Sequence, residues 1–397
     1  MLSSAYTLAW CDRMGDIPQA EWDRLALPLA TPFLEWHWLN NLETSGSATA
    51  ETGWLPQHLT IWRQDNPGAS QTKRLVAAAP LYVKGHSYGE FVFDQEWAEL
   101  AARLGVRYYP KLLGMTPFTP AEGYRFLLDP AEDEAALTAT MVAAIDQFCQ
   151  HNRISGCHFL FVDPDWRSQM EGYGFQPWFH HSYIWKNQGY GSFADYLADF
   201  NANQRRNIKR ERAALQKAQL SLVVYAGEEI PDHFYRCMHR FYADTCDKFM
   251  WGSKYLTRRF FEQLQDDYCD RVVLLAASGN GSCSTNPLGM SFCVRKGNML
   301  YGRYWGSDRD YDCLHFNACY YEPIDWAISQ GIQRFDPGAG GRHKKRRGFP
   351  ATTNYSLHRI YAPRLQELFT HYLPEINAME AEQIQAINQD LPYQIRP

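Results

Sequence analysis

The sequence predicts an α/β protein built from two tandem modules, each with its own mixed sheet. Three observations predict this class. Strand-like and helix-like patterns alternate along the whole chain, as layered sheets and helices require. A length of 397 residues suits two domains of ordinary size. Two distant stretches also look alike: "APLYVKGHSYGEFVF" (79–93) and "GMSFCVRKGNMLYGRYW" (289–305). Each reads as a strand, a basic residue with glycine, a Tyr-Gly step and a second aromatic strand, with a helix to follow. Duplication of one module would leave such a trace.

In chain order, residues 75–85 and 88–93 read as a strand pair joined by a short turn. Residues 94–105 read as a helix closed by Gly105. Residues 108–128 form an extended segment broken by Pro110, Pro117 and Pro120, which would make a stiff loop around Lys111 and Thr116. A long helix over 132–152 leads to a buried strand at 157–162. The second series starts near residue 190. It comprises a helix over 193–219, a strand over 220–227, helical stretches within 231–264, and three strands at 271–278, 287–297 and 298–306. A helix over 314–331, imperfect at Pro323, precedes the strand "IQRFDPG" (332–338). The division expected is 1–185 for the first domain and 186–397 for the second, the latter ending in helices. The modules should meet near residues 180–195.

The net charge of -5 argues against a general nucleic-acid coat protein, whose affinity comes from neutralising phosphates. The N-terminus lacks a basic segment followed by an apolar one, and no run of about 18 apolar residues occurs. A cytoplasmic protein with no membrane span is the expectation. The ten cysteines show no C-x-x-C spacing, so reduced, mostly buried thiols are expected and no metal site. No G-x-S-x-G, H-E-x-x-H or strand-linked G-x-G-x-x-G is present, against an elbow hydrolase, a zincin and a Rossmann oxidoreductase.

Positive charge is nonetheless concentrated in "FDPGAGGRHKKRRGF" (335–349). Asp-Pro-Gly turns the chain sharply, and the glycines let backbone N–H groups approach a ligand. With the basic run behind them they suit a phosphate or carboxylate; a solvated loop is the alternative. A second basic element, "NQRRNIKRER" (203–212), reads either as a solvated amphipathic helix or as one facing an anionic substrate. Both elements could line one groove. "YGRYWGSDRD" (301–310) ends a strand just before a helix, where open α/β sheets hold ligands.

The stretch 88–123, "NQRRNIKRER" and "FDPGAGGRHKKRRGF" with the following "TNYSLH" together resemble the peptidoglycan biosynthesis/recognition family, a GNAT-superfamily branch similar to Fem-type aminoacyltransferases. The likeness covers roughly residues 30–370. It implies two tandem GNAT-like domains and transfer of an acyl or aminoacyl group to an amine, possible acceptors being cell-wall glycan precursors. Acyl-CoA or aminoacyl-tRNA would be the donor co-substrate, with tRNA a possible partner. The chain departs from the family's Gly-Ala-Gln-Gly-Glu-His-Lys motif: Gly340 stands for Gln and Arg342 for Glu, while His343 and Lys344 match. A glycine-bearing pyrophosphate loop is missing from "SDRDYDCLHF", which argues against coenzyme A at that position. A non-catalytic module binding an anionic glycan precursor or RNA is the alternative to an enzyme.

On this reading residues 298–306 and 332–338 are the two splayed parallel strands that admit the donor. Backbone amides near Gly306 or Gly338 hold the developing oxyanion. Asp336, His343 or Asp308 accepts the amine proton. Arg303, Trp305, Lys344, Arg346 and Arg347 contact substrate, with Lys111 and Thr116 from the first half and Arg206 and Lys209 from the basic helix. As a surface charge, Lys344 would contribute at most about 1 kcal/mol to folding. Lys344→Ala should then weaken ligand binding by roughly 1.5–3 kcal/mol and leave stability nearly unchanged.

Overall fold

The computed structural model describes residues 6–64, 73–248, 254–279 and 286–394. The chain divides into two compact units, Met1–His180 with Asn354–Glu380, and His181–Thr353 with Ala381–Pro397. Residues 354–380 thus cluster with the first unit, whereas the sequence reading carried the second domain through to residue 397.

The first unit holds β1 (Tyr6–Cys11), β2 (Leu55–Pro56), β3 (His58–Gln64), β4 (Lys73–Ala79), β5 (Tyr82–Lys84), β6 (Lys111–Gly114), β7 (Leu127–Leu128), β8 (Gly156–Phe159) and most of β9 (Gln176–Tyr183). Its helices are α1 (Gln19–Ala26), α2 (Trp36–Thr44), α3 (Gln95–Arg103), α4 (Glu134–His151) and α5 (Pro164–Gly172). The expected strand over 75–85 is two strands in two sheets. Pro80, with no N–H to give a ladder, lies at the break. β4 joins the sheet β1-β3-β4-β7, and β5 joins β2-β5-β6-β8-β16-β9, in which β16 is Ala351–Ile360.

The expected strand at 88–93 does not form. Gly89 and Phe91 take φ of +80° and +58°, and the Glu90 carboxylate turns inward to Lys111. The strand beside β5 is instead β6, antiparallel to β5 and parallel to β8, with Leu113 opposite His158. The internal likeness is therefore real in topology but shifted in register: β5-β6-β8 corresponds to an antiparallel-then-parallel run in the second unit.

That unit holds β10 (Trp185–Lys186), β11 (Leu220–Ala226), β12 (Val272–Gly279), β13 (Gly289–Lys296), β14 (Met299–Ser307) and β15 (Arg334–Asp336), in the order β10-β15-β14-β13-β12-β11. β11 through β14 are antiparallel neighbours, and β14 runs parallel to β15. β12 is buried nearly throughout, as its continuous apolar run requires.

The single helix expected over 193–219 is split into α6 (Phe193–Ala198) and α7 (Ala202–Lys217), because Asn201 caps α7 by accepting from Gln204 N at 3.0 Å. α8 (Asp232–Asp247) and α9 (Arg258–Asp267) follow. The imperfect helix is α10 (Leu314–Phe316), a π-helical turn over Asn317–Tyr321, and α11 (Glu322–Ser329). The widened turn directly precedes Pro323, whose ring would meet a carbonyl of an ordinary helix. β16 (Ala351–Ile360) pairs with β8 through Leu357–Ile360, and α12 (Pro363–Gln389) ends the fold.

The apolar core of the second unit gathers Trp185, Tyr196, Phe200, Leu300, Tyr321 and Phe335 around one face of its sheet. All described cysteines are free thiols. Cys149, Cys157 and Cys293 are buried, the others half-buried, and Cys283 lies outside the described residues. Among the described residues no helix is long and apolar enough to cross a membrane, and no group of His, Cys, Asp and Glu is placed to hold a metal.

Candidate active site

β14 and β15 run side by side only where Met299, Leu300 and Tyr301 face Arg334, Phe335 and Asp336. Two local features then part them. β14 carries a bulge: Tyr304 pairs with Phe292 and Gly302 with Cys293, leaving Arg303 as the extra residue. On β15, Pro337 and Gly338 turn the chain away. Gly338 is required here, because its φ is +87° and a Cβ would lie 3.0 Å from Gly302 O. Between the parted strands opens a pocket of about 540 Å³.

Arg303 and Asp336 form its base. Arg303 Nη2 donates to Asp336 Oδ2 at 2.9 Å, with both side chains almost wholly buried. Asp336 Oδ1 accepts from Gly338 N at 2.8 Å, which fixes the start of the glycine loop. One wall is that loop, residues 338–341. The opposite wall comes from the π-turn helix and presents His315, Cys319 and Tyr320. Ser291 Oγ donates to Ala318 O at 2.7 Å and ties this wall to β13.

Lys344 holds the loop from behind. It is 2% exposed, and its Nζ donates to Gly338 O at 2.6 Å and Ala339 O at 3.1 Å. This corrects the expectation of a surface cation free to clamp a ligand: the ammonium clamps its own loop. Burial pulls its pKa down to about 8, only partly opposed by Asp336.

His343 enters the pocket beside it, its Nε2 2.8 Å from Tyr320 Oη. Burial, then the Arg347 and Lys344 charges, lower its pKa to about 4. His315, with its ring centroid 5.9 Å from that of His343, is lowered to about 4 by burial, His343, Arg347 and Lys344. Both imidazoles are neutral at pH 7. Between pH 6.5 and 4 the unfolded chain therefore binds more protons than the folded one, and stability falls as pH drops through that window. Urea unfolding at pH 7 and pH 5 should show the lower midpoint at pH 5. In His315→Phe the difference should narrow; an unchanged difference would remove His315 from its cause.

The other basic side chains divide. Arg347 is buried. Its Nη2 donates to Glu211 Oε2 at 2.9 Å, its Nη1 to His343 O at 3.0 Å, and the guanidinium lies 3.4 Å from the Phe316 ring centroid. These bonds make it part of the framework, and it also lines the groove described next. Lys345 is paired with Asp390. Arg346 is exposed and lines a second groove of about 450 Å³ with Arg342 and with Arg210 of α7. Both basic elements thus meet in one groove. Arg206 and Lys209, chosen from the sequence for that role, are exposed but do not line it.

Of the other residues singled out, Arg303, Trp305, Gly338, His343 and Lys344 line the pocket, with Asp336 bonded to Arg303 at its base. Asp308 is exposed beyond the end of β14 and does not line the pocket, so it is not brought near a proton acceptor's position. Neither proposed oxyanion amide is suited. Gly338 N–H is already given to Asp336, and Gly306 does not line the pocket; it packs against α8, where a Cβ would sit 2.1 Å from Phe241 O. Gly306→Ala should accordingly lower stability by about 1–3 kcal/mol, read from thermal melts. An unaltered melt would show that α8 can give way.

Lys111 and Thr116 are framework residues of the first unit. Lys111 is 1% exposed and donates to Glu90 and Asp94 at 2.6 Å each and to Ser87 at 2.7 Å. Thr116 Oγ1 donates to Phe33 O at 3.0 Å. Sequence reasoning missed His315, Cys319 and Tyr320. On an ordinary helix His315 and Tyr320, five apart, would point about 140° from each other; the π-helical turn over Asn317–Tyr321 brings separations of four and five together, and no motif flagged it.

Parallel strands that part around a pocket, in tandem units each with an antiparallel-then-parallel strand run, define a protein of the tandem GNAT-like class. The chain belongs to the FemAB-like family, described as peptidoglycan biosynthesis/recognition, whose model matches residues 13–395. The structure is similar to that of FemX, at 11% identity and a TM-score of 0.52, covering 89% of this chain and 98% of that one. L-PGS from Bacillus licheniformis is similar at 10% identity and TM-score 0.50, covering 87% and 98%. A conserved protein of unknown function from Bacteroides thetaiotaomicron matches at 10% identity and TM-score 0.50, covering 89% and 99%. At these identities the likeness is one of fold. No curated protein matches the sequence.

Proposed function

We propose that this protein is an acyltransferase that moves an acyl or aminoacyl group to an amine, with the donor's acyl carbon held between β14 and β15. The observation that carries this is the pocket at the parting strands with a neutral imidazole in its wall. Transfer to an amine needs an acceptor for the amine proton once nitrogen attacks the acyl carbon. His343 faces the pocket with Nε2 at Tyr320 Oη and Nδ1 without a hydrogen-bond partner among the described residues, whereas both oxygens of Asp336 are engaged. The lowered pKa of His343 keeps it unprotonated at neutral pH but makes it a weak base, suited to take the proton only as the attacking amine becomes an acidic ammonium adduct. The bulge at Arg303 interrupts the ladder at the pocket, so backbone amides there, not at Gly306 or Gly338, are suited to the developing oxyanion. Family membership in peptidoglycan biosynthesis/recognition supports a cell-wall precursor as acceptor. Acyl-CoA and aminoacyl-tRNA are the two donor classes to try.

The groove beside the pocket favours a second reading, a module that binds an anionic glycan precursor or RNA without turnover. Among the described residues no hydrogen bond or ion pair holds the guanidinium groups of Arg210, Arg342 or Arg346 there. Native mass spectrometry of the purified chain with acyl-CoAs, tRNA and nucleotide-sugar precursors, offered in turn and then together, separates the two. The acyltransferase reading expects a mass-shifted acceptor in one mixture. In His343→Gln the turnover should drop about 100-fold with donor binding kept. Binding of an anionic partner with no transfer in any mixture supports the module instead.

A further inference from the structure

Resting on the reading of the pocket as an acyl site, we propose that it takes acyl groups without a free ammonium, and prefers one ending in a carboxylate to a neutral one of equal length. The lining contains no Asp or Glu among the described residues. The one carboxylate at its base, Asp336, has Oδ2 on the Arg303 guanidinium and Oδ1 on Gly338 N–H, so Arg303 and Asp336 cancel. Lys344 is not cancelled. Its two acceptors are the carbonyls of Gly338 and Ala339, which satisfy donors without opposing the charge.

An ammonium arriving on an acyl group would find no carboxylate in the lining and would compete for carbonyls that already accept. Gly338 O and Ala339 O are on Lys344, and Ala318 O is on Ser291. It would also meet the field that holds His315 and His343 neutral, a field to which Arg347 and Lys344 both contribute. A carboxylate meets the opposite conditions: the positive field of Lys344, a buried charge in the lining whose two acceptors are neutral carbonyls. Trp305 and Tyr320 beside it accept a methylene chain without penalty.

The test uses three amides that differ only at the end of one chain: N-ethylsuccinamate, N-ethylbutyramide and N-ethyl-β-alaninamide. Each is titrated into the full chain at pH 7.5 and followed by ligand-observed NMR. The succinamate should bind tightest and the β-alaninamide weakest, with about tenfold or more between these two. Gly340→Asp then adds a carboxylate to the lining. Gly340 has φ +63°, which Asp tolerates, and nothing lies within 4 Å of its Cβ position. In that variant the gap should close or reverse. His343→Glu gives a second position for the same charge should Gly340→Asp fail to fold. β-Alaninamide binding as tightly as succinamate to the native chain overturns the proposal alone. A gap that both variants leave unchanged overturns it too, since the selection then arises outside this pocket. If none of the three binds to folded protein, the acyl-site reading fails and takes the proposal with it.

Discussion

Asp336→Ala should lower the unfolding free energy by about 3–5 kcal/mol, the cost of removing one partner from a buried ion pair. The Arg303 guanidinium and the Asp336 carboxylate meet at 2.9 Å with side-chain exposures of 2% and 7%. Alanine leaves the guanidinium buried without its carboxylate and releases Gly338 N–H, which now donates to Oδ1 at 2.8 Å. The start of the glycine loop loses its anchor at the same moment. Asp336→Asn separates the two roles proposed for this residue. The amide has one acceptor oxygen, so it can keep the bond from Gly338 N–H or the one from Arg303 but not both, and with one bond and the side-chain volume retained it should cost less stability than alanine. If Asp336 takes the amine proton, Asn should nonetheless abolish turnover in a folded protein. If it is framework, as the two bonds suggest, Asn should keep most of the activity. Chemical denaturation gives the first quantity and a turnover assay the second. An Ala variant as stable as the native chain would mean that water reaches Arg303 and the pair is not buried in solution.

Much of the second unit was legible because its signals are local. The apolar run of 272–277 could only be a buried strand, and Asp-Pro-Gly after "IQRF" could only turn the chain where β15 stops. Those two facts brought Arg303, Asp336, Gly338 and His343 to one place. What sequence could not give is direction. "RHKKRR" looks like a solvated run, yet every residue from Arg342 to Arg347 lies on a 3-10 helix that turns Lys344 and Arg347 inward. For Arg347 the difference depends on an acceptor far along the chain, Glu211; for Lys344 the acceptors are near, Gly338 O and Ala339 O, but only the folded glycine loop presents them. On α7, helical periodicity sends Arg210 to the groove and Arg206 and Lys209 elsewhere, but the sequence alone does not say which face the groove takes. In the first unit the failure at 88–93 is of another kind. "YGEFVF" has strand residues, and local propensity is a weak guide when a buried Lys111 draws Glu90 and Asp94 inward.

Lys344→Ala, expected from sequence to spare the fold, should instead destabilise it by about 2–4 kcal/mol. Two charge-assisted hydrogen bonds, to Gly338 O and Ala339 O, are lost with a buried aliphatic stem, and relief of the buried charge offsets only part of this. Lys344→Met keeps the stem and removes the ammonium. If the tie to the loop carbonyls dominates, Met should lose nearly as much as Ala; a Met variant close to the native chain would assign the effect to packing. The pH dependence gives an independent check. Burial holds the Lys344 pKa at about 8 against an ordinary 10.5, so between these values the unfolded chain binds more protons than the folded one. Stability contributed at this position therefore rises with pH across that window. The neutral amine still has N–H groups to give both carbonyls. The native chain should then gain on Lys344→Met between pH 7.5 and pH 9.5, other titrations cancelling in the difference. Denaturant midpoints of the two proteins at both pH values measure it. A gap that stays constant or shrinks would mean that Lys344 is solvated and that its ammonium is free after all to meet a ligand.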